Sequence, residues 1–346
     1  MGSKVQGWCS SWITTMASPL LISTSYISTL CAGIRSFGSF SRHLPWTRTL
    51  KVMEHPARLT VGRIRTLSSN IEFSESAESD TKFVDSSKYE HLIITRQHGV
   101  RTITFNRPDK KNALNEKMFD EVVLALQDAA SDPHTIITAT TGAGDVYCAG
   151  NDKANFYHIT LTEIRDLLIR HMAAFIDFPK PLIAVVNGAA VGVATTLLPL
   201  FDGVFATEKA FFFTPFSALN ITAEGCSSYT FPRLMGPGKA AEILMFNKKY
   251  IVSCIWQVTA REALKLGLVT EVIPDANFPE DVWPKIYDMA KLPLNSLVYS
   301  KALMRNIHKD ILHQVNIEEC KRVAERLIAA YQPGREDYQE FVDNNW

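Results

Sequence analysis

The chain has 346 residues, enough for one large domain or two small ones, and its 46% hydrophobic and 21% charged content suits a globular protein with a sizeable core. Its 36 basic and 36 acidic residues cancel, which excludes the basic excess of a dedicated nucleic-acid binder. Six cysteines, at 9, 31, 148, 226, 254 and 320, include no CxxC pair, so a reducing compartment is expected rather than a zinc site or a disulfide framework.

Residues 1–53 contain no Asp or Glu, yet carry Lys4, Arg35, Arg42, Arg48, Lys51 and sixteen Ser or Thr. Import into mitochondria selects for positive charge on such a segment, so 1–66 reads as a targeting or disordered region. The apolar run 17–34 is broken by Ser and Thr, and no stable membrane insertion is expected. "LSSNIEFSESAESDTKFVDSSK" (67–88) has the Ser- and acid-rich composition of a linker. The folded domain is expected over 89–346, with its core ending near 290 and C-terminal helices after.

"HLIITRQHGVRTITFNRP" reads as two strands, 91–97 and 100–106, turning at His98-Gly99. Residues 115–132 place Met118, Val122, Ala125 and Leu126 on one helical face. A buried-type strand follows at 135–141, and an amphipathic helix at 161–179 is stopped by Pro179 and Pro181. "PLIAVVNG" (181–188) is a near-continuous apolar strand, "AAVGVATTLLPL" reads as helical, and "FDGVFATE" gives another strand. Beyond Lys239 the pattern is helical apart from "GLVTEVI". Strands alternating with helices predict an α/β layered fold with largely parallel pairing.

The nine histidines do not pair at metal-binding spacing, so no metal is expected. No P-loop, GxGxxG or GxSxG motif occurs. Two small-residue turns remain, "CAGNDKANF" (148–156) and "VNGAAVGVATT" (186–196), and small residues let backbone N–H groups approach a ligand closely. "TPFSALNITAEGCSSYTFPRLMG" (214–236) carries one acid, Glu224, among small and apolar residues. Pattern alone leaves two readings of it open: a charge near the start of a helix, and a general base in a dry pocket.

"DVYCAGNDKANF", then "FPKPLIAVVNGAAVGVATTLLPLFDGVFATEKAFFFTPFS", then "AEGCSSYTFPRLMG" resemble the crotonase (enoyl-CoA hydratase/isomerase) superfamily, and within it the Δ3,Δ2-enoyl-CoA isomerase 2 group. "NRPDKKNALN" resembles the family's early CoA-side segment, and the likeness runs from about Tyr89 to about Arg305, with no acyl-CoA-binding-protein module visible before it. The resemblance implies a repeated β-β-α spiral core and a helical C-terminal region that assembles a homotrimer or a dimer of trimers. It implies that the backbone N–H groups of Asn151 and Val193 form an oxyanion hole for the thioester carbonyl, and that Cys148, Ala149, Gly150, Asn151 and Asp152 line the acyl site. Lys111, Asn112 and Ala113 would lie against CoA, and Lys301 near its phosphates.

The positions of the two glutamates used by family hydratases hold Thr196 and Phe216, with Phe216 lining the site, while the isomerase carboxylate falls on Glu224. The activity implied is movement of a 3-enoyl-CoA double bond, cis or trans, to the 2-trans position in fatty-acid β-oxidation. Coenzyme A then belongs to the substrate, and no further cofactor is expected. The alternatives are an enoyl-CoA hydratase, a dienoyl-CoA isomerase, or a catalytically weak acyl-CoA-binding or interaction protein. "IVSCIWQV" (251–258) is an insertion relative to the family pattern. The ending "REDYQEFVDNNW" lacks a Ser-Lys-Leu type address, which with the basic N-terminus favours the mitochondrial matrix over the peroxisome.

Overall fold

The computed structural model describes residues 83–85, 87–246 and 257–331. The basic segment 1–66, residues 67–82 of the stretch read as linker, residues 251–256 of the insertion and the C-terminal residues 332–346 lie outside the described residues. Strand β1 (Phe83–Asp85) pairs antiparallel with β2 (Leu92–Gln97), so strand pairing begins ahead of Tyr89, inside the stretch read as linker.

The hairpin of β2 and β3 (Val100–Phe105) turns through His98 at φ 50° and Gly99 at φ 75°. Two positive φ values in a two-residue loop match the right-handed twist of the flanking strands. Helix α1 (Glu116–Ser131) starts at Asn115, whose side chain accepts the Met118 N–H at 2.9 Å. It is followed by β4 (Ile137–Gly142) and β5 (Val146–Cys148), then by α2 (Leu161–Asp177), which opens on a reciprocal Thr160–Glu163 capping box.

Next come β6 (Leu182–Val186), β7 (Ala189–Val191), the single turn α3 (Val193–Thr196), β8 (Gly203–Thr207) and β9 (Phe211–Phe213). The stretch "AAVGVATTLLPL", expected as helix, is therefore corrected: its first three residues are strand. They pair with β5 and β9, and Gly192, at φ 59° and ψ −124°, breaks the chain before α3 can begin. Then follow α4 (Ser227–Met235), α5 (Pro237–Leu244), β10 (Val258–Thr259), α6 (Ala260–Lys265), β11 (Glu271–Ile273), α7 (Phe278–Met289) and α8 (Leu294–Tyr331).

One sheet runs β1-β2-β3-β4-β6-β8-β11 and the other β10-β9-β7-β5. Each of the pairs β4/β5, β6/β7 and β8/β9 gives its first strand to the larger sheet and its second to the smaller, so the chain winds as a repeating spiral. Neighbours from β3 to β11 in the larger sheet are parallel. Strand β6 explains its unbroken apolar sequence. Leu182, Ala184 and Val186 enter the main core, whereas Ile183 and Val185 face Phe278, Val282 and Ile286 of α7. Each fully buried large aliphatic there contributes roughly 1.5–3 kcal/mol. Helix α8 folds back on α2, burying Leu312, Cys320, Val323, Leu327 and Ile328 and donating from Asn316 to the Ile169 carbonyl.

Candidate active site

The loop after β5 is fastened along residues 111–114. Ala149 donates to the Lys111 carbonyl (3.0 Å), Leu114 to Gly150 (2.8 Å) and Asp152 to Leu114 (2.9 Å). This pattern turns the Gly150 carbonyl and the Asp152 N–H toward Leu114, so the Asn151 N–H faces the other way. The Asp152 carboxylate is taken by Arg107, at 3.0 and 3.1 Å, and by the Ala154 N–H. Cys148 accepts the Gly150 N–H at 3.4 Å, and burial pushes its thiol up to about 12, which leaves it a poor nucleophile.

Two expectations for CoA contact are corrected. The Asn112 side chain is wholly buried, accepts from Arg107 N–H and donates to the Ala143 and Val146 carbonyls; it braces the loop and offers no group to a ligand, while the neighbouring Lys111 is exposed. Lys301 is 7% exposed, and its ammonium lies 2.7 Å from both the Asp202 carboxylate and the Lys180 carbonyl. Engaged by both partners, it is a clamp between α8 and the core, not a phosphate ligand.

Across from the first loop, Val193 opens α3, where an N–H has no acceptor within its own helix. Gly150 has φ +84°, and a Cβ on it would meet the Val191 carbonyl oxygen at 2.6 Å. Only glycine allows the two loops to touch here. Gly150 and Gly192 immediately precede Asn151 and Val193, so this contact brings the two amides together. Among the described residues neither amide donates to a backbone carbonyl outside regular elements.

Glu224 closes the site from below α3. It is 1% exposed, and the Asn151 side-chain nitrogen lies 3.4 Å from each of its carboxylate oxygens. Gly225 (φ +71°) and Cys226 (φ +61°) carry the chain from it into α4, and a Cβ on Gly225 would strike the Thr196 hydroxyl at 2.5 Å. Burial pushes the Glu224 carboxyl up to about 8 from 4.5; the Asn151 contact pulls it back and the charge of Glu319 adds to the rise. Thr196 and Phe216 are buried, and the Thr196 hydroxyl is turned back toward the Gly192 and Val193 carbonyls.

Under Cys148 lies a small apolar cavity walled by Phe105, Leu114, Tyr147, Ala194 and Leu197. The Tyr147 hydroxyl is spent on Thr140 at 2.8 Å. The geometry therefore gathers two amides, one carboxyl of high proton affinity and an apolar recess. Among the described residues no cluster of three or more His, Cys, Asp or Glu could hold a metal.

Sequence reasoning missed two contributors: the Asn151 side chain and Glu319. A signal for Glu319 was present, because "GCSS" offers no Ser, Thr, Asp or Asn at the N-cap of α4, and the amides there need an acceptor from elsewhere.

The model of the enoyl-CoA hydratase/isomerase family matches residues 95–346. Enoyl-CoA delta isomerase 2 of Homo sapiens is 46% identical over 276 residues, 78% of this chain and 68% of the relative. The peroxisomal enoyl-CoA delta isomerase 3 of Mus musculus is 45% identical over 73% of this chain and 77% of its own length. An enoyl-CoA hydratase/isomerase from Pseudoalteromonas atlantica superposes with a TM-score of 0.63 at 30% identity, covering 73% of this chain and 96% of that one.

Proposed function

The chain belongs to the enoyl-CoA hydratase/isomerase family, and from that premise we propose that it is an isomerase moving the double bond of 3-enoyl-CoA, cis or trans, to 2-trans-enoyl-CoA in fatty-acid β-oxidation. The observation that carries this reading is the single buried Glu224 beside Asn151, with Thr196 and Phe216 where the family's hydratases use glutamates. Neither Thr196 nor Phe216 activates water as a carboxylate does. The human and mouse relatives named as isomerases support the same choice.

In this mechanism the thioester oxygen accepts from the Asn151 and Val193 N–H groups, which acidifies C2–H. Ionised Glu224 takes that proton as the charge moves onto the oxygen. The C2–H bond breaks and C2=C3 forms while C3=C4 is lost, and protonated Glu224 then returns its proton to C4. A carboxyl raised toward 8 binds the proton firmly enough to keep it through the transfer. Burial keeps water from exchanging it or adding to the product. The loop 148–152 lines the thioester, and the apolar residues under Cys148 wall its acyl side.

Within the same reading, residues 89–346 form the catalytic unit and no cofactor is needed beyond the CoA of the substrate. Assembly as a trimer, or a dimer of trimers, is supported by Tyr299, Leu303 and Ile307, which recur every fourth residue on the exposed side of α8 and are at least 70% exposed. The acid-free, basic N-terminal segment supports delivery to the mitochondrial matrix. Spectrophotometric conversion of 3-enoyl-CoA by the full chain tests the proposal: turnover is expected. CoA-ester binding without turnover would overturn it in favour of a binding role.

A further inference from the structure

Helix α4 begins without a cap of its own. The side chain of Cys226, its N-cap residue, accepts no first-turn N–H and turns its thiol to the Leu312 carbonyl. Buried first-turn amides left without acceptors would lose their hydration with nothing in exchange. The acceptor arrives from α8: the Glu319 carboxylate lies 2.6 Å from the Cys226 N–H and 2.8 Å from the Ser228 N–H. Glu319 is 7% exposed, and among the described residues no lysine, arginine or histidine pairs with it. The positive end of α4 takes the place of a cation.

Building on the isomerase reading, we infer that Glu319 is a positioning residue for the base. By holding the Cys226 and Ser228 amides it fixes the left-handed Gly225–Cys226 turn that aims Glu224 at Asn151, and it stations a second carboxylate behind the first. Among the described residues, no other charged group is set against Glu224. Asn151 and Thr196 are neutral, and burial holds the Cys226 and Cys320 thiols above their ordinary range. Burial also raises Glu319, but Ser228 and Cys226 donate to it, whereas Glu224 has the one long Asn151 contact. When one of the two carboxyls keeps a proton, it is Glu224.

Glu319→Gln removes the charge and keeps one acceptor; Glu319→Ala removes both. The carboxyl titration of Glu224 is followed by NMR of glutamate 13C-labelled at the side-chain carboxyl in the full chain, assigned by the signal lost in Glu224→Gln, beside the pH profile of kcat. In Glu319→Gln the Glu224 midpoint is expected to fall by about one pH unit, and the acid limb of kcat with it. In Glu319→Ala kcat is expected to fall by about 10²-fold with KM within about twofold, because the base is misplaced rather than the substrate lost. Asn316→Ala, which loosens α8 from α2 without touching α4, should lower Tm and shift neither profile. An unmoved Glu224 midpoint in Glu319→Gln would overturn the inference, as would a change confined to KM. The NMR readout needs no turnover, so an inactive wild-type chain would end the isomerase reading while still deciding the role of Glu319.

Discussion

Asp202 is exposed and Glu224 is buried, and the chain treats the two carboxylates in opposite ways. Asp202 meets Lys301 at 2.7 Å and Arg305 at 3.1 Å, and also accepts the Leu182 N–H at 2.9 Å. Lys301 in turn sits 5.3 Å over the Phe178 ring. Among the described residues Glu224 has no cation, only a long contact with Asn151 and a second carboxylate behind it. The first arrangement satisfies every charge and pins the start of α8 to the core. The second keeps a carboxyl poised between its two protonation states. A charge that is fully paired serves the architecture, and a buried carboxyl without a cation, in reach of converging amides, is the setting that the proposed chemistry uses.

Substitution at each site should therefore damage a different quantity. Glu224→Gln preserves shape and removes the base; kcat on 3-enoyl-CoA is expected to fall by about 10³-fold with KM nearly unchanged and Tm no lower. A variant with most of its activity would place the base elsewhere. Lys301→Met should do the reverse. It removes one of the two cations on the exposed Asp202 and the clamp to the Lys180 carbonyl, which costs about 1 kcal/mol, a fall in Tm of about 2–4 °C, with kcat per folded enzyme intact. Were Lys301→Met to raise KM for CoA esters tenfold while Tm held, the lysine would return to phosphate binding and the contrast would collapse.

The structure stands Glu224 ahead of a helix, as the first of the two readings has it, and buries it beside two loop amides, the setting that the second reading requires. Elements set by local chemistry were legible. His98-Gly99 announces its turn, Asn115 and Thr160 their helices, and "LIAVV" a strand with both faces covered. Elements set by distant partners were not. Ala189–Val191 is a strand because β5 and β9 flank it, and its small residues carry no strand signal of their own. Lys301 reads as a solvated helix lysine or a phosphate ligand until Asp202 and the Lys180 carbonyl are placed beside it. Glu319, in "NIEECKRVAERL", looks like one more surface acid of a charged helix. Its role depends on α8 lying across the start of α4.

Gly150→Ala probes how the two loops meet. The added Cβ would lie 2.6 Å from the Val191 carbonyl oxygen at a φ that alanine resists, so the loops must part. Loss of one well-aimed amide is expected to lower kcat by about 10²-fold. Inhibition by a CoA-linked enolate mimic should weaken in proportion, whereas Asp202 and Lys301 stay paired and Tm falls by only a few degrees, about 2–4 °C. Equal losses in substrate affinity and in mimic affinity would mean that the loop shapes the pocket without stabilising the developing charge.

The smallest effect is the sharpest on the electrostatics. Unfolded, Glu224 titrates near 4.5, and folded, near 8. Between those values the folded chain holds a proton that the unfolded chain has released. The stabilising contribution is thus complete below 4.5, declines as pH rises across the window, and is gone above 8. Glu224→Gln has no such titration, and the other groups that titrate are common to both proteins. The Tm of the variant minus that of the wild type should therefore grow between pH 5 and 8 by on the order of 5 °C, then level off. A carboxylate paired with a cation gives the opposite slope, because pairing lowers its folded value and the unfolded chain then binds more protons. A difference that stays flat, or shrinks, across this range would make Glu224 a charge settled by its surroundings rather than one held ready to move a proton.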